Sequence, residues 1–186
     1  MPEQIHSYTA TAKLFHWLMA ALIISASIIG LYGALGLHYG VDAAQDALKV
    51  KVITTHKNIA TTTLFLIVAR LAWRLSHRPP QMIGMSAMMA KLAHAGHWLL
   101  YGLMVAVPVS GWANSSSAGY PIPVAWLFEI PRLLEKDKSL TPTLSAIHEY
   151  LSWFLLAVVV GHVAFALKHK FIDRDTCMES MLPVRK

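Results

Sequence analysis

Residues 147–171 read IHEYLSWFLLAVVVGHVAFALKHKF, and this stretch decides the fold. From Leu144 to Leu167 the chain is apolar, with one acid, Glu149, close to the start. A bilayer is crossed by a helix of roughly 20 apolar residues, so the run is long enough to span. Two histidines, His148 and His162, interrupt it. Fourteen positions on an α-helix are about 21 Å of rise and leave both residues within roughly 40° of one face. One membrane-crossing helix therefore presents two imidazoles on one side, at two depths.

Three further stretches share this character. Leu14–Leu37 carries no charge. Val52–Leu75 has Lys57 near one end and Arg70 and Arg74 near the other, and Leu92–Trp112 contains Pro108. Across the 186 residues, 55% are hydrophobic and 14% charged, with a mean hydropathy of +0.47. A soluble domain carries about 25% charged residues, so soluble globular and disordered classes are both excluded. The first run is too long for a secretory h-region of about 7–15 residues and reads as a retained helix. The sequence thus predicts an all-α integral membrane four-helix bundle, one domain over residues 1–186 without repeats. Its spans fall at about 14–37, 52–75, 92–112 and 144–167. The single cysteine, Cys177, excludes an intramolecular disulfide, a CxxC zinc site and a CxxCH haem attachment.

Four spans place both termini on one side. That side holds Lys13, Arg70, Arg74, Arg78, Lys91, Lys168, Lys170, Arg174, Arg185 and Lys186. The other holds Lys49, Lys51, Lys57, Arg132, Lys136 and Lys138. The positive-inside rule makes both termini cytoplasmic and reads the net charge of +6 as membrane anchoring, with no nucleic-acid partner. Span two stops before Pro79-Pro80, which cannot continue a helix. The one long loop, Ala113–Thr143, lies outside. Its apolar, proline-broken segment Pro121–Leu134 is expected at the interface or capping the bundle.

The histidines carry the chemistry. His16 lies one turn inside the cytoplasmic end of span one, and His162 about two turns from that end of span four. His56 and His148 lie one turn inside the outer ends of spans two and four. Four imidazoles in apolar helices, falling into two depth-matched pairs, suit two bis-histidine b-type haems stacked across a bundle. Lone interfacial histidines, a zinc site and a proton relay are the alternatives. No carboxylate or thiolate accompanies either pair, and the bundle centre has no Asp or Glu. A small histidine-containing transporter would be the colourless reading.

The runs KLFHWLMAALI, THKNIATTTLFLIVARLAWR, LAHAGHWLLYGLMVAVPVSGW and IHEY…VVGHVAFALKHKFIDRD resemble the four helices of the bacterial cytochrome b561 family. The likeness covers nearly the whole chain, from about Tyr8 to Pro183. FHW in the first helix, GHWLLY in the third and ALKHKF closing the fourth are its most specific pieces. It implies a di-haem electron carrier of the bacterial inner membrane, with His16 and His162 on the inner haem iron and His56 and His148 on the outer. One member takes electrons from superoxide to ubiquinone. Asp173 stands where that member has an aromatic residue.

The resemblance also implies a quinone pocket beside the inner haem, to which His97 and His169 would contribute; the other reading of both, and the first reading of His94, is interfacial anchoring. Imidazole can donate both a hydrogen bond and a proton to a quinone carbonyl. Arg70 shares a face with His56 but lies at the inner level, where it either pairs with a haem propionate or snorkels to headgroups. Lys57 has the same two readings at the outer level. Gly96, Gly102, Gly161 and Ala157 remove bulk where a macrocycle would fit, or simply promote helix contact. The tryptophans fall near span ends, as in an aromatic belt. The expected activity is electron transfer from the periplasmic side to ubiquinone, with superoxide as one possible donor. The alternative is an electron-transfer subunit that serves a periplasmic redox protein and has no small-molecule substrate. The outer segments balance six basic against six acidic residues, so no net field steers an anion.

Overall fold

The computed structural model describes residues 7–77, 80 and 87–183. Arg78, Pro79, Arg185 and Lys186, used above for topology, lie outside the described residues. In order, the elements are α1 (Ala10–Leu31), α2 (Ala43–Ser76), α3 (Ala87–Ala118), β1 (Ile122–Val124), β2 (Phe128–Ile130) and α4 (Thr141–Lys168). Wider π-helical turns extend α1 over Tyr32–Gly36 and α4 over His169–Asp173.

Side chains set the starts of two helices. Thr9 Oγ1 accepts from the Ala12 N–H at the head of α1, and Asp42 Oδ1 accepts from Gln45 N–H at the head of α2. Each satisfies one of the four donors a helix start leaves open. Pro142 opens α4, where its missing N–H costs nothing. All four helices are long and apolar enough to cross a membrane. Their outer faces stay apolar: Leu75, Val68 and Val160 are 78, 61 and 62% exposed. Such surfaces belong against lipid tails, with the backbone satisfied inside each helix.

The core is small and made of Met19, Ile67, Tyr101, Leu103, Met104 and Leu155, with members from every helix. α1 packs along α2 and α3 along α4, and α2 joins the two hairpins through α3. Among the described residues α1 and α4 share no extended contact. An apolar groove of about 90 Å³ separates them, lined by Ile23, Ser27, Leu31, Leu155 and Val159.

The segment before α1 and the segment after α4 meet at one end of the bundle. Tyr8 N–H donates to Ser180 O at 3.2 Å, buried Lys13 Nζ to Leu182 O at 2.8 Å, and Trp17 Nε1 to Met181 O at 3.0 Å. Residues 174–183 thus fold back as a strap under α1. Lys13, counted above among the basic residues on the side of the termini, is held by that strap.

The structure departs from the expected spans in two places. Each helix starts before its apolar stretch, and α3 continues through Ala118, six residues into the expected loop. Ser116 and Ser117 are fully buried there; Ser116 Oγ accepts from Leu133 N–H, and Ser117 O accepts from Asp137 N–H. These bonds stitch the returning loop to α3. The apolar segment of that loop is a β-hairpin, so the fold is helical with one small antiparallel sheet, pairing Ile122 with Ile130 and Val124 with Phe128. Its turn, closed by Leu127 N–H to Val124 O at 2.9 Å, holds Ala125 and Trp126 at φ +51° and +60°. Positive φ is uncommon for residues other than glycine. An outside bond holds it: Trp126 N–H donates at 2.7 Å to Asn58 Oδ1, on an α2 side chain 1% exposed.

Candidate functional site

At the outer level, α2 and α4 bring His56 and His148 together with ring centroids 6.3 Å apart. His56 Nδ1 donates to Ala26 O of α1 at 2.8 Å. His148 Nδ1 lies 3.1 Å from Val107 O and 3.0 Å from Ser110 Oγ, both on α3. Each ring is thus tied at Nδ1, which fixes its orientation and leaves Nε2 to bind a metal. Two glycines make room for them. A Cβ on Gly30 would lie 2.9 Å from the His56 ring, and one on Gly111 would lie 2.9 Å from that of His148.

At the inner level, α1 and α4 bring His16 and His162 to 6.2 Å between centroids. His97 of α3 lies closer still to His162, at 5.7 Å. Arg70 Nη2 donates to His16 Nδ1 at 3.3 Å, and its guanidinium sits 5.5 Å over the Tyr101 ring. Arg74 lies over Tyr101 as well, at 5.4 Å. Three imidazoles and two guanidiniums therefore gather at this end.

The distances fit a shared iron. With metal–nitrogen bonds of about 2 Å, two imidazoles facing across one ion have centroids roughly 6 Å apart. Both pairs meet that spacing, and at the outer pair the hydrogen-bonding pattern meets it too.

Other expected site residues fall elsewhere. His169 starts the π-helical turn, and its Nδ1 lies 2.6 Å from Asp175 and 3.2 Å from Asp173. Among the described residues no hydrogen bond or ring contact joins His97 to His169. Lys57 sits 5.0 Å over the Tyr120 ring. Gly96, Gly102 and Gly161 face open space, with nothing within 4 Å of an added Cβ. On the strap, Lys170 bonds Glu179 and holds its carboxyl below the usual range, while burial, helped by Asp175 and Glu179, pushes the Cys177 thiol up.

Sequence reasoning missed Gly30, Gly111, Ser110 and the carbonyls of Ala26 and Val107. Ala26 and Gly30 form a small-xxx-small pattern, the one local signal for a close approach.

Residues 7–184 match the family described as prokaryotic cytochrome b561. "Cytochrome b561 homolog 2" of Escherichia coli (strain K12) is 32% identical over 176 residues, covering 94% of this chain and 90% of that protein. "Probable superoxide oxidase CybB" of Yersinia pestis is 29% identical over 173 residues, covering 92% and 93%.

Proposed function

The chain belongs to the prokaryotic cytochrome b561 family of haem b-binding, multi-pass membrane electron carriers; from that premise we propose that it carries electrons from the periplasmic face of the inner membrane to ubiquinone. It would hold two haems b, the inner on His16 and His162 and the outer on His56 and His148. The observation that supports this most directly is the presence of two imidazole pairs, each at the spacing of a shared iron.

Bound haem b supplies one-electron chemistry at its iron. The chain's residues do the rest. Ala26 O, Val107 O and Ser110 orient the outer rings. Arg70, beside His16, offers a cation to a haem carboxylate. The excess of Lys and Arg assigned to the side of the termini makes that side cytoplasmic. There His97, next to the inner pair, and His169, past the end of α4, offer donors to a quinone carbonyl.

Superoxide is the proposed electron donor, on two grounds. One relative is named a probable superoxide oxidase, and Lys57 adjoins His56, where an anion would approach the outer pair. A second reading, donation by a periplasmic redox protein, is favoured by the hairpin. Trp126, Leu127 and Phe128 are 63, 81 and 53% exposed at the end of the bundle nearest the outer pair. The test follows the haem absorbance of purified protein. A superoxide source should reduce it, added superoxide dismutase should block that reduction, and a short-chain ubiquinone should re-oxidise it. Reduction by periplasmic redox proteins alone would establish the second reading.

A further inference from the structure

Resting on the quinone reading of His169, we propose that Asp175 is the positioning residue that makes His169 the proton donor to the bound quinone. Nothing in the sequence pairs these residues; the backbone does. Arg174 adopts the left-handed conformation, φ +55°, immediately after the π-helical turn. The chain reverses there, Asp175 N–H reaches back to His169 O at 3.2 Å, and the carboxylate comes to 2.6 Å from Nδ1 of the same histidine. The other oxygen of Asp175 accepts from Cys177 N–H at 2.9 Å, so the carboxylate is fixed at both ends. The strap that carries it is in turn pinned to α1 through Ser180, Met181 and Leu182.

Asp173 is the competitor. It lies 3.2 Å from the same nitrogen, but both its oxygens are held by Lys168 Nζ, at 2.7 and 2.5 Å. Its charge is already compensated, and Asp175 is the acid available to the ring.

Exposure gives the pair a direction. The His169 side chain is 11% exposed and that of Asp175 is 28% exposed. A nearly buried imidazole with a water-accessible carboxylate on its Nδ1 can pass a proton inward and regain one from outside. In the neutral ring, Nδ1–H donates to Asp175 and Nε2 is an acceptor. A proton taken up at Nε2 makes the cation that Asp175 faces, and this is the proton delivered.

The reaction balances as follows. Quinone becomes quinol by gaining two electrons, one at a time from the protein's haem, and two protons. His169 delivers one of the protons: its Nε2–H bond breaks and an O–H bond forms on the reduced quinone oxygen it faces, while the other oxygen takes its proton from cytoplasmic water. His169 returns to its neutral form with Nδ1–H still on Asp175, and cytoplasmic water restores the Nε2 proton. Asp175 remains ionised throughout and touches neither quinone nor haem.

The test uses haem-loaded full-length protein, reduced and then mixed with a short-chain ubiquinone. Asp175→Ala should keep its haem content and reducibility but be re-oxidised about 10²-fold more slowly. Added acetate should restore much of the rate, which it would not do for a strap that had merely lost its shape. Asp173→Asn should stay within about threefold of wild type. A wild-type rate in Asp175→Ala, or a slow rate that acetate leaves unchanged, would overturn the assignment. Should Asp175→Ala fail to fold, Asp175→Asn carries the test, since its amide oxygen can keep the Cys177 bond. There a slowed rate with an enlarged solvent isotope effect is expected, and unchanged values overturn the proposal. His169→Ala separates the two ideas: a wild-type rate in that variant removes the quinone reading itself, whatever Asp175 does.

Discussion

The outer and inner histidine pairs have almost the same ring separation, 6.3 and 6.2 Å, yet they are built differently. The outer rings are fixed before anything binds. Each is held at Nδ1 by a backbone carbonyl from a neighbouring helix, and each lies against a glycine that admits no side chain. The inner rings have looser surroundings: His16 meets an arginine where the outer rings meet carbonyls, and His162 has two imidazole neighbours. Equal spacing can thus come from a rigid socket or from a cluster with a spare member. The difference matches the proposed division of labour, a fixed entry site outside and an exit site inside that also serves protons and a quinone.

The largest expected effect tests the spare member. His56→Ala and His148→Ala should each lower haem content from two to one per chain, because among the described residues no other imidazole approaches the outer pair. His16→Ala should keep part of its inner haem, with His97 taking the vacated position beside His162, at an altered spectrum. His16→Ala combined with His97→Ala should then fall to one. A haem assay by pyridine haemochrome reads all four variants. Equal losses from the His16 and His56 single variants would erase the contrast.

Next comes the socket. Gly30→Ala or Gly111→Ala forces a methyl to within 2.9 Å of a ring, an overpacking that costs about 1–3 kcal/mol. Outer haem should be lost at lower temperature in both, as followed by its absorbance on heating.

A smaller effect concerns charge. Arg70→Gln removes a cation next to His16, and a nearby positive charge favours the reduced iron. The inner midpoint potential should therefore fall by about 60 mV, a tenfold change for one electron, with the outer one unmoved. A redox titration separates them. Smallest is Ser110→Ala. It deletes one of the two bonds at His148 Nδ1 and should cost about 1 kcal/mol of thermal stability with haem content intact.

How far the sequence reaches can be judged from particular residues. The four helices were legible because hydropathy over some 20 residues is a local property. The depth of each histidine was legible too, since helical rise converts sequence number to height. What lay beyond reach was lateral. Helical spacing gives no sign that His97 sits nearer His162 than His16 does, or that Gly30 faces His56, because these depend on how helices rotate against each other. The hairpin was hidden for another reason. Ala125-Trp126 lacks the Asn-Gly or Asp-Gly signature of a tight turn, and its conformation is enforced by Asn58, 68 positions away. The end of α3 was misread because Ser115-Ser116-Ser117 looks like a loop until its partners across the outer segment are known.

The strap that joins Lys13 to Leu182 has a consequence for the order of synthesis. The outer pair is complete in sequence once His148 has been made, whereas the inner pair waits for His162 and its closing strap for the final residues. In the complete protein α1 packs along α2, and an apolar groove lies between α1 and α4. Synthesis therefore supplies every residue of the outer socket before it supplies the last ligand of the inner pair and the strap that ties α1 down.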